Sequence, residues 1–198
     1  MIYRTVNKNE YKQLAAIHHD AFKEFFLTSL GLSFLQTYYR VVLTSGLSIA
    51  VCAVDENNKI LGFSTGSKTK GNYHSKILLS GFFCFLLQAL RLIIIRPVAL
   101  MRLAINLNKS PHPHVAGNCS ELLSIAVLPE AKGHGIGKGL LSAYEKEARN
   151  AGFSCIALTT DYENNDAVVA FYKSCGYKIF FDFIPFPNRR MYKMIKIL

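Results

Sequence analysis

Residues 129–141 read PEAKGHGIGKGLL, with glycines at 133, 135, 137 and 139 immediately before an apolar helical pattern. Leu140, Leu141, Tyr144 and Ala148 share one face of a helix expected to run from about Gly137 to Asn150. The preceding run, CSELLSIAVL, has the composition of a buried strand and stops at Pro129. A strand, a bare loop and a helix in that order suit an anion, because the first N–H groups of a helix lack partners and the helix dipole favours negative charge there.

Spacing decides which anion site this is. The nucleotide-triphosphatase loop G-x-x-x-x-G-K-[ST] fails, since Lys132 stands at its first glycine and Gly139 replaces the hydroxyl residue. The dinucleotide fingerprint G-x-G-x-x-G fails as well, because a start at Gly133 or Gly135 meets Lys138 or Leu140 in third place. What fits is Lys132-x-x-Gly135-x-Gly137. A second block, NDAVVAFYKSCGY, sets Asn165 seven residues before Tyr172 and follows with Gly176 and Tyr177.

Together these two blocks resemble the motifs of the GNAT N-acetyltransferases, whose first motif is Gln/Arg-x-x-Gly-x-Gly/Ala; Lys132 departs from its first position. The resemblance implies a mixed, mostly antiparallel α/β (α+β) sheet flanked by helices, acetyl-CoA as co-substrate, no metal, and direct attack of an amine on the thioester. It implies that the main chain of Ile125, Ala126 and Val127 holds pantetheine and that the loop Lys132, Gly133, His134, Gly135, Ile136, Gly137 and Lys138 holds the pyrophosphate. Asn165 matches the residue that contacts the pantetheine arm, and as a residue type it also suits a helix cap. Tyr172 matches the tyrosine that protonates the leaving thiolate; the other reading of a tyrosine on an apolar helix is core packing with one hydrogen bond. Glu121 stands where some members carry a general base acting through water. Alternation would put it on one strand face with Leu123, Ile125 and Val127. His112, His114 and His134 are further candidates for the base.

The rest of the chain fits one domain over 1–198. Strands are expected in MIYRTV, in the hairpin LSIAVCAV–DENN–KILGFSTGSK, in SCIALTT, and in the closing YKIFFDF and RMYKMIKIL; helices are expected in EYKQLAAIHHDAF and SFLQTYYRVVL. Glu145 and Arg149 are spaced as an i,i+4 pair. Five dispersed cysteines without a C-x-x-C pair suggest neither a disulfide framework nor a zinc site, and the N-terminus lacks the apolar core of a signal peptide. The expected location is therefore cytoplasmic, or peripheral at the inner membrane surface.

Formal net charge is +10, and no Asp or Glu occurs from Asn57 to Ser120, where eight Lys and Arg residues lie. Within that segment, 69–118 reads as an apolar helical insertion between the third and fourth strands. Its uncharged run, Ile77 to Leu90, is 14 residues, short of the roughly 20 a membrane span needs. Ser80, Cys84, Gln88 and Arg91 fall on one side of a helical wheel, Arg102, Asn106 and Lys109 form a like stripe, and Pro97 breaks the helix between them. Three readings remain: a buried insertion with a solvated basic edge, an apolar, basic surface through 77–107 that touches anionic lipid or a lipid-linked substrate, and, disfavoured by the short uncharged run, a true membrane span.

Charge alone would also suit a nucleic-acid binder, but basic residues in an apolar insertion lack the interleaved exposed aromatics of such surfaces, and no nucleic-acid partner is expected. The expected acceptor is a small amine, anionic or membrane-associated, such as a nucleotide-linked amino sugar. The alternatives are a protein N-acetyltransferase and a non-catalytic coenzyme A sensor or scaffold.

Overall fold

The computed structural model describes residues 1–69, 71–95, 117–185 and 189–198. A seven-stranded sheet is built from β1 (Ile2–Thr5), β2 (Ser48–Val54), β3 (Ile60–Ser67), β4 (Cys119–Val127), β5 (Cys155–Asp161), β6 (Lys178–Phe183) and β7 (Met191–Ile197), in the order β1-β2-β3-β4-β5-β7-β6. Every neighbouring pair is antiparallel except β4 and β5. The hairpin β2–β3 turns where Asp55 accepts from the N–H groups of Asn57 and Lys59 through its side chain, the turn chemistry the Asp/Asn cluster supplies.

Helices cover both faces. On one side lie α1 (Tyr11–Ala21), the single turn α2 (Phe26–Ser29) and α3 (Leu32–Thr44). Leu14, Ala15 and Ile17 of α1 and Leu35 and Tyr39 of α3 pack there with Cys52, Val54, Phe63 and Ala126 from the sheet. On the other side, α6 (Ile136–Asn150) and α7 (Asp166–Ser174) bury Ile136, Leu140, Leu141, Tyr144, Ala148, Val169 and Tyr172 against Leu122, Ile156, Leu158 and Met194. The expected apolar face of α6 is therefore its core face. Glu145 pairs with Lys196 of β7 at 2.7 Å instead of with Arg149, because it too faces the sheet.

Between β3 and β4 the chain forms α4 (Tyr73–Ser80) and α5 (Phe82–Ile95), which meet across Gly81 at 86°. The helix break among the described residues is thus at Gly81. Pro97, the stripe Arg102, Asn106 and Lys109, and the remainder of the expected second helix lie outside the described residues.

One cysteine pair corrects the sequence reading. Cys119 and Cys155 open β4 and β5, stand opposite each other in the parallel register with Cα atoms 4.4 Å apart, and form a disulfide. Their separation of 36 residues hid this pairing, which only the strand order creates.

Candidate active site

The parallel pairing of β4 with β5 is short. It joins Cys119–Leu122 to Cys155–Leu158 and ends there, although β4 continues to Val127 and β5 to Asp161. Over the same stretch β4 stays paired to β3, through Val127 opposite Gly62, and β5 stays paired to β7, through Asp161 opposite Met191. The two strands therefore part as they run, and the sheet carries a wedge open at their carboxyl ends. From Leu123 to Val127 the β4 edge that faces β5 has no ladder, so main-chain donors and acceptors line one wall of the wedge. Ligands of open α/β sheets sit at such carboxyl-end crevices.

The glycine loop closes the mouth of the wedge. Gly133 and Gly135 hold φ of +83° and +74°, backbone that residues with a Cβ adopt only at a cost of about 1–2 kcal/mol. Gly135 is the N-cap of α6 and no side chain caps the helix; the Gly139 N–H closes the first turn onto the Gly135 carbonyl. The first turn holds no acidic residue, so its amides and the positive end of the dipole face the loop without a neutralising carboxylate. Lys132, His134 and Lys138 are exposed around it. His134 Nδ1 lies 2.9 Å from the Lys132 carbonyl, a contact that folds the imidazole back onto the loop.

The second motif packs beside the first, with Ile136, Val169 and Tyr172 in one cluster. A Cβ on Gly137 would stand 3.3 Å from Cζ of Phe171, so glycine is what lets the first turn of α6 approach α7. Tyr172, the next residue, is buried and makes no side-chain hydrogen bond to another described residue. Burial pushes its phenol up to about 12. Asn165, the N-cap residue of α7, does not cap through its side chain: Nδ2 donates to Thr160 Oγ1 at 2.7 Å and to the Asp161 carbonyl at 2.9 Å, fixing the end of β5.

The profile of the Acetyltransferase (GNAT) family matches residues 12–177. The chain belongs to that family. It is similar to an aminoalkylphosphonate N-acetyltransferase of Salmonella typhimurium, 39% identical over 74 residues, which are 37% of this chain and 47% of that protein. The match thus spans about half the length of that relative. Among solved structures it is similar to the ribosomal-protein-alanine N-acetyltransferase of Brucella melitensis, with TM-score 0.63, 18% identity and 100% of both chains covered. It is also similar to an aminoglycoside 6'-N-acetyltransferase complexed with coenzyme A, with TM-score 0.63, 19% identity, and 100% of this chain and 97% of that one covered. At such identities the two structures bear on the fold, which they share over the full chain.

In this GNAT chain the wedge and loop bring Ile125, Ala126, Val127, residues 132–138 and the second motif to one end of the sheet, whereas Glu121 lies at the other end of the wedge wall. Glu121 sits in the paired part of β4, and its Oε1 accepts from Lys193 Nζ at 2.6 Å. Lys193 is only 2% exposed. The expected common face for Glu121, Leu123, Ile125 and Val127 does not exist. A bulge between the pairs Gly66–Leu122 and Thr65–Ser124 inserts Leu123 and reverses the alternation. Leu123 packs with Val41, Val42, Tyr73 and Ile77 on the α3 side, and Ile125 and Val127 pack on the α6 side. Glu121 therefore faces the α3 side with Leu123.

Two residues of this region escaped the sequence reading. Lys193 interrupts the apolar closing strand and was legible only as an odd lysine in MYKMIKI. Phe171 carried no signal beyond its place beside Tyr172. His112 and His114 lie outside the described residues.

Proposed function

We propose that this chain transfers an acetyl group from acetyl-CoA to the primary amine of a small anionic acceptor. The observation that carries the reading is the coincidence of the open β4–β5 wedge with the uncapped N-terminus of α6. The wedge offers an unladdered strand edge of the length an extended pantetheine arm can pair with, and the loop at its mouth offers the main-chain amides a pyrophosphate requires.

The co-substrate supplies a thioester carbonyl as the electrophile. The residues do the rest. Main-chain groups of Ile125, Ala126 and Val127 orient the arm, Asn165 keeps the end of β5 in place, and Lys132 and Lys138 add positive charge beside the phosphates. The acceptor nitrogen bonds to the carbonyl carbon as the carbon–sulfur bond breaks, and the departing thiolate takes the proton of the Tyr172 hydroxyl. Because burial holds that phenol protonated far above neutral pH, it is a donor at this step and not a base. The proton lost by the amine goes to Glu121 through water; the ion pair with Lys193 holds that carboxylate in position.

Two facts support an anionic acceptor. From Phe25 to Ser120 the only carboxylates are Asp55 and Glu56, both in the β2–β3 turn, so the stretch that supplies α3, α4 and α5 is cationic. The Salmonella relative is named for aminoalkylphosphonates, small amines that carry an anion. The test is an acceptor screen with acetyl-CoA. Aminoalkylphosphonates and amino sugar phosphates should turn over with higher kcat/KM than their uncharged amine counterparts. Equal rates for charged and uncharged amines would refute the anionic preference while leaving the acetyl transfer intact.

A further inference from the structure

The insertion is mounted in the opposite sense to an ordinary surface helix. Its polar stripe faces the protein: Gln88 Nε2 donates to Thr37 Oγ1 at 3.0 Å, Arg91 Nη1 donates to Ser33 Oγ at 2.6 Å, and Arg40 Nη2 reaches Cys84 Sγ at 3.2 Å. All three bonds tie α5 to α3. Its apolar stripe faces outward, with Leu79 74%, Phe83 78% and Leu87 67% exposed, and with Phe82, Leu86, Leu90 and Ile93 also exposed. On α5 these positions recur at helical spacing and make an apolar strip, and Leu79 is exposed near the end of α4 that leads into it. Monomeric soluble surfaces rarely leave such a strip uncovered.

We propose that α4 and α5 form a docking face for an anionic lipid bilayer, lying in its plane with Leu79, Phe83 and Leu87 inserted among the acyl chains. Charge selects this occupant. Neither α3, α4 nor α5 contains an acidic residue, while Lys76 is exposed on α4, Arg40 and Arg91 are exposed at the α3–α5 seam, and neither arginine is ion-paired to a described carboxylate. A second copy fits poorly, since the same face of another chain would bring further cations and no carboxylate from α3, α4 or α5 to meet them. An anionic headgroup layer meets the cations and the acyl region takes the leucines and phenylalanines.

Among the described residues no single helix is long and apolar enough to span a membrane; α4 and α5 reach that length and apolarity only together, bent by 86°. The hydrogen bonds that hold one side of α5 to α3 suit a helix pair lying on a bilayer. This surface is separate from the acetyl-transfer site, and the inference does not depend on that reading.

The test is sedimentation of the full chain with phosphatidylcholine vesicles, with and without phosphatidylglycerol, alongside a Phe83→Ser/Leu87→Ser double variant. The wild type should co-sediment with the anionic vesicles, less with neutral ones, and less again at high salt. The double variant should bind about tenfold more weakly or worse, with unchanged circular dichroism, since both side chains are exposed. A wild type that stays in the supernatant with anionic vesicles, or a double variant that binds as well as the wild type, overturns the proposal. So does a vesicle-indifferent dimer that the double substitution converts to monomer, which would assign the face to a second copy.

Discussion

The Phe171 ring takes up the space beside Gly137: a Cβ on Gly137 would stand 3.3 Å from Cζ of Phe171, and the residue after that phenylalanine is Tyr172. The loop proposed to hold phosphate and the tyrosine proposed to supply a proton thereby lie on helices that share one core cluster, with Ile136 of α6 and Val169, Phe171 and Tyr172 of α7 in it. Gly137→Ala needs a shift of only a few tenths of an ångström and should change stability by no more than about 1 kcal/mol, since alanine gains helix propensity. Gly137→Leu must displace Phe171 and with it Tyr172. Its kcat should fall about a hundredfold, the scale expected for a misplaced catalytic group. Steady-state kinetics on both variants check this; equal kcat in the two would mean the contact does not position Tyr172.

Tyr172→Phe removes the hydroxyl and leaves the packing. We expect kcat to drop by a factor of about a hundred or more with little change in KM for acetyl-CoA. The folded phenol is raised from its ordinary value near 10 to about 12 by burial. The neutral form is thus favoured in the folded state, so its contribution to stability is complete below pH 10 and is lost as pH rises toward 12. Wild-type rates should show no falling limb from this group below about pH 10, and a rate that collapses near pH 9 in a folded sample would count against the phenol as donor.

The secondary structure was legible because its signals are local. Strand alternation, the Asp/Asn turn at 55–58 and the apolar period of α6 each act within a few residues, and the observed elements begin and end close to where those signals place them. Three features were not legible. The bulge at Leu123 reverses which residues of β4 share a face, and a bulge leaves no mark in an alternating apolar run. The helical wheel of α5 separates two stripes correctly but contains nothing that says which one meets the protein; that depends on Ser33 and Thr37, 50 and more residues away. Cys119 and Cys155 pair only because β4 and β5 are parallel neighbours in register. Of the site residues, Ile136 of the loop region and Val169 and Tyr172 of the second motif share one cluster, while Glu121 has the buried partner Lys193, which no local signal announces.

That partner gives a stability prediction. Glu121→Gln leaves the Lys193 ammonium buried without a counter-charge and should cost about 3 kcal/mol or more. The double variant Glu121→Gln/Lys193→Met replaces the pair with neutral groups and should recover much of that loss, so the two substitutions will be non-additive in a denaturant cycle. Strict additivity would show that the pair is not coupled. The kcat of the recovered double variant then reports on the base role free of the folding defect.

His18 should dominate the acid sensitivity of the fold in mild acid. Its ring is buried between α1 and α3, Nδ1 bonds with the Tyr39 hydroxyl at 2.7 Å, and burial lowers it to about 4 from 6.5. The unfolded chain therefore binds the proton first, and stability is complete above pH 6.5 and declines as pH falls toward 4. The full effect is on the order of 3 kcal/mol. Melting temperatures at pH 7.5 and pH 5 should differ clearly in the wild type and much less in His18→Gln. An equal difference in both proteins would assign the acid sensitivity elsewhere.

The central claim is that the wedge and the glycine loop form one acetyl-CoA site, and calorimetric titration tests it most directly. Acetyl-CoA should bind the wild type at one site per chain while ATP and NAD do not, and Gly135→Val, which forces a β-branched residue into a φ of +74°, should abolish binding in a protein that still unfolds cooperatively. A folded wild type that takes up no acetyl-CoA, or a Gly135→Val variant that binds it undiminished, would contradict the account.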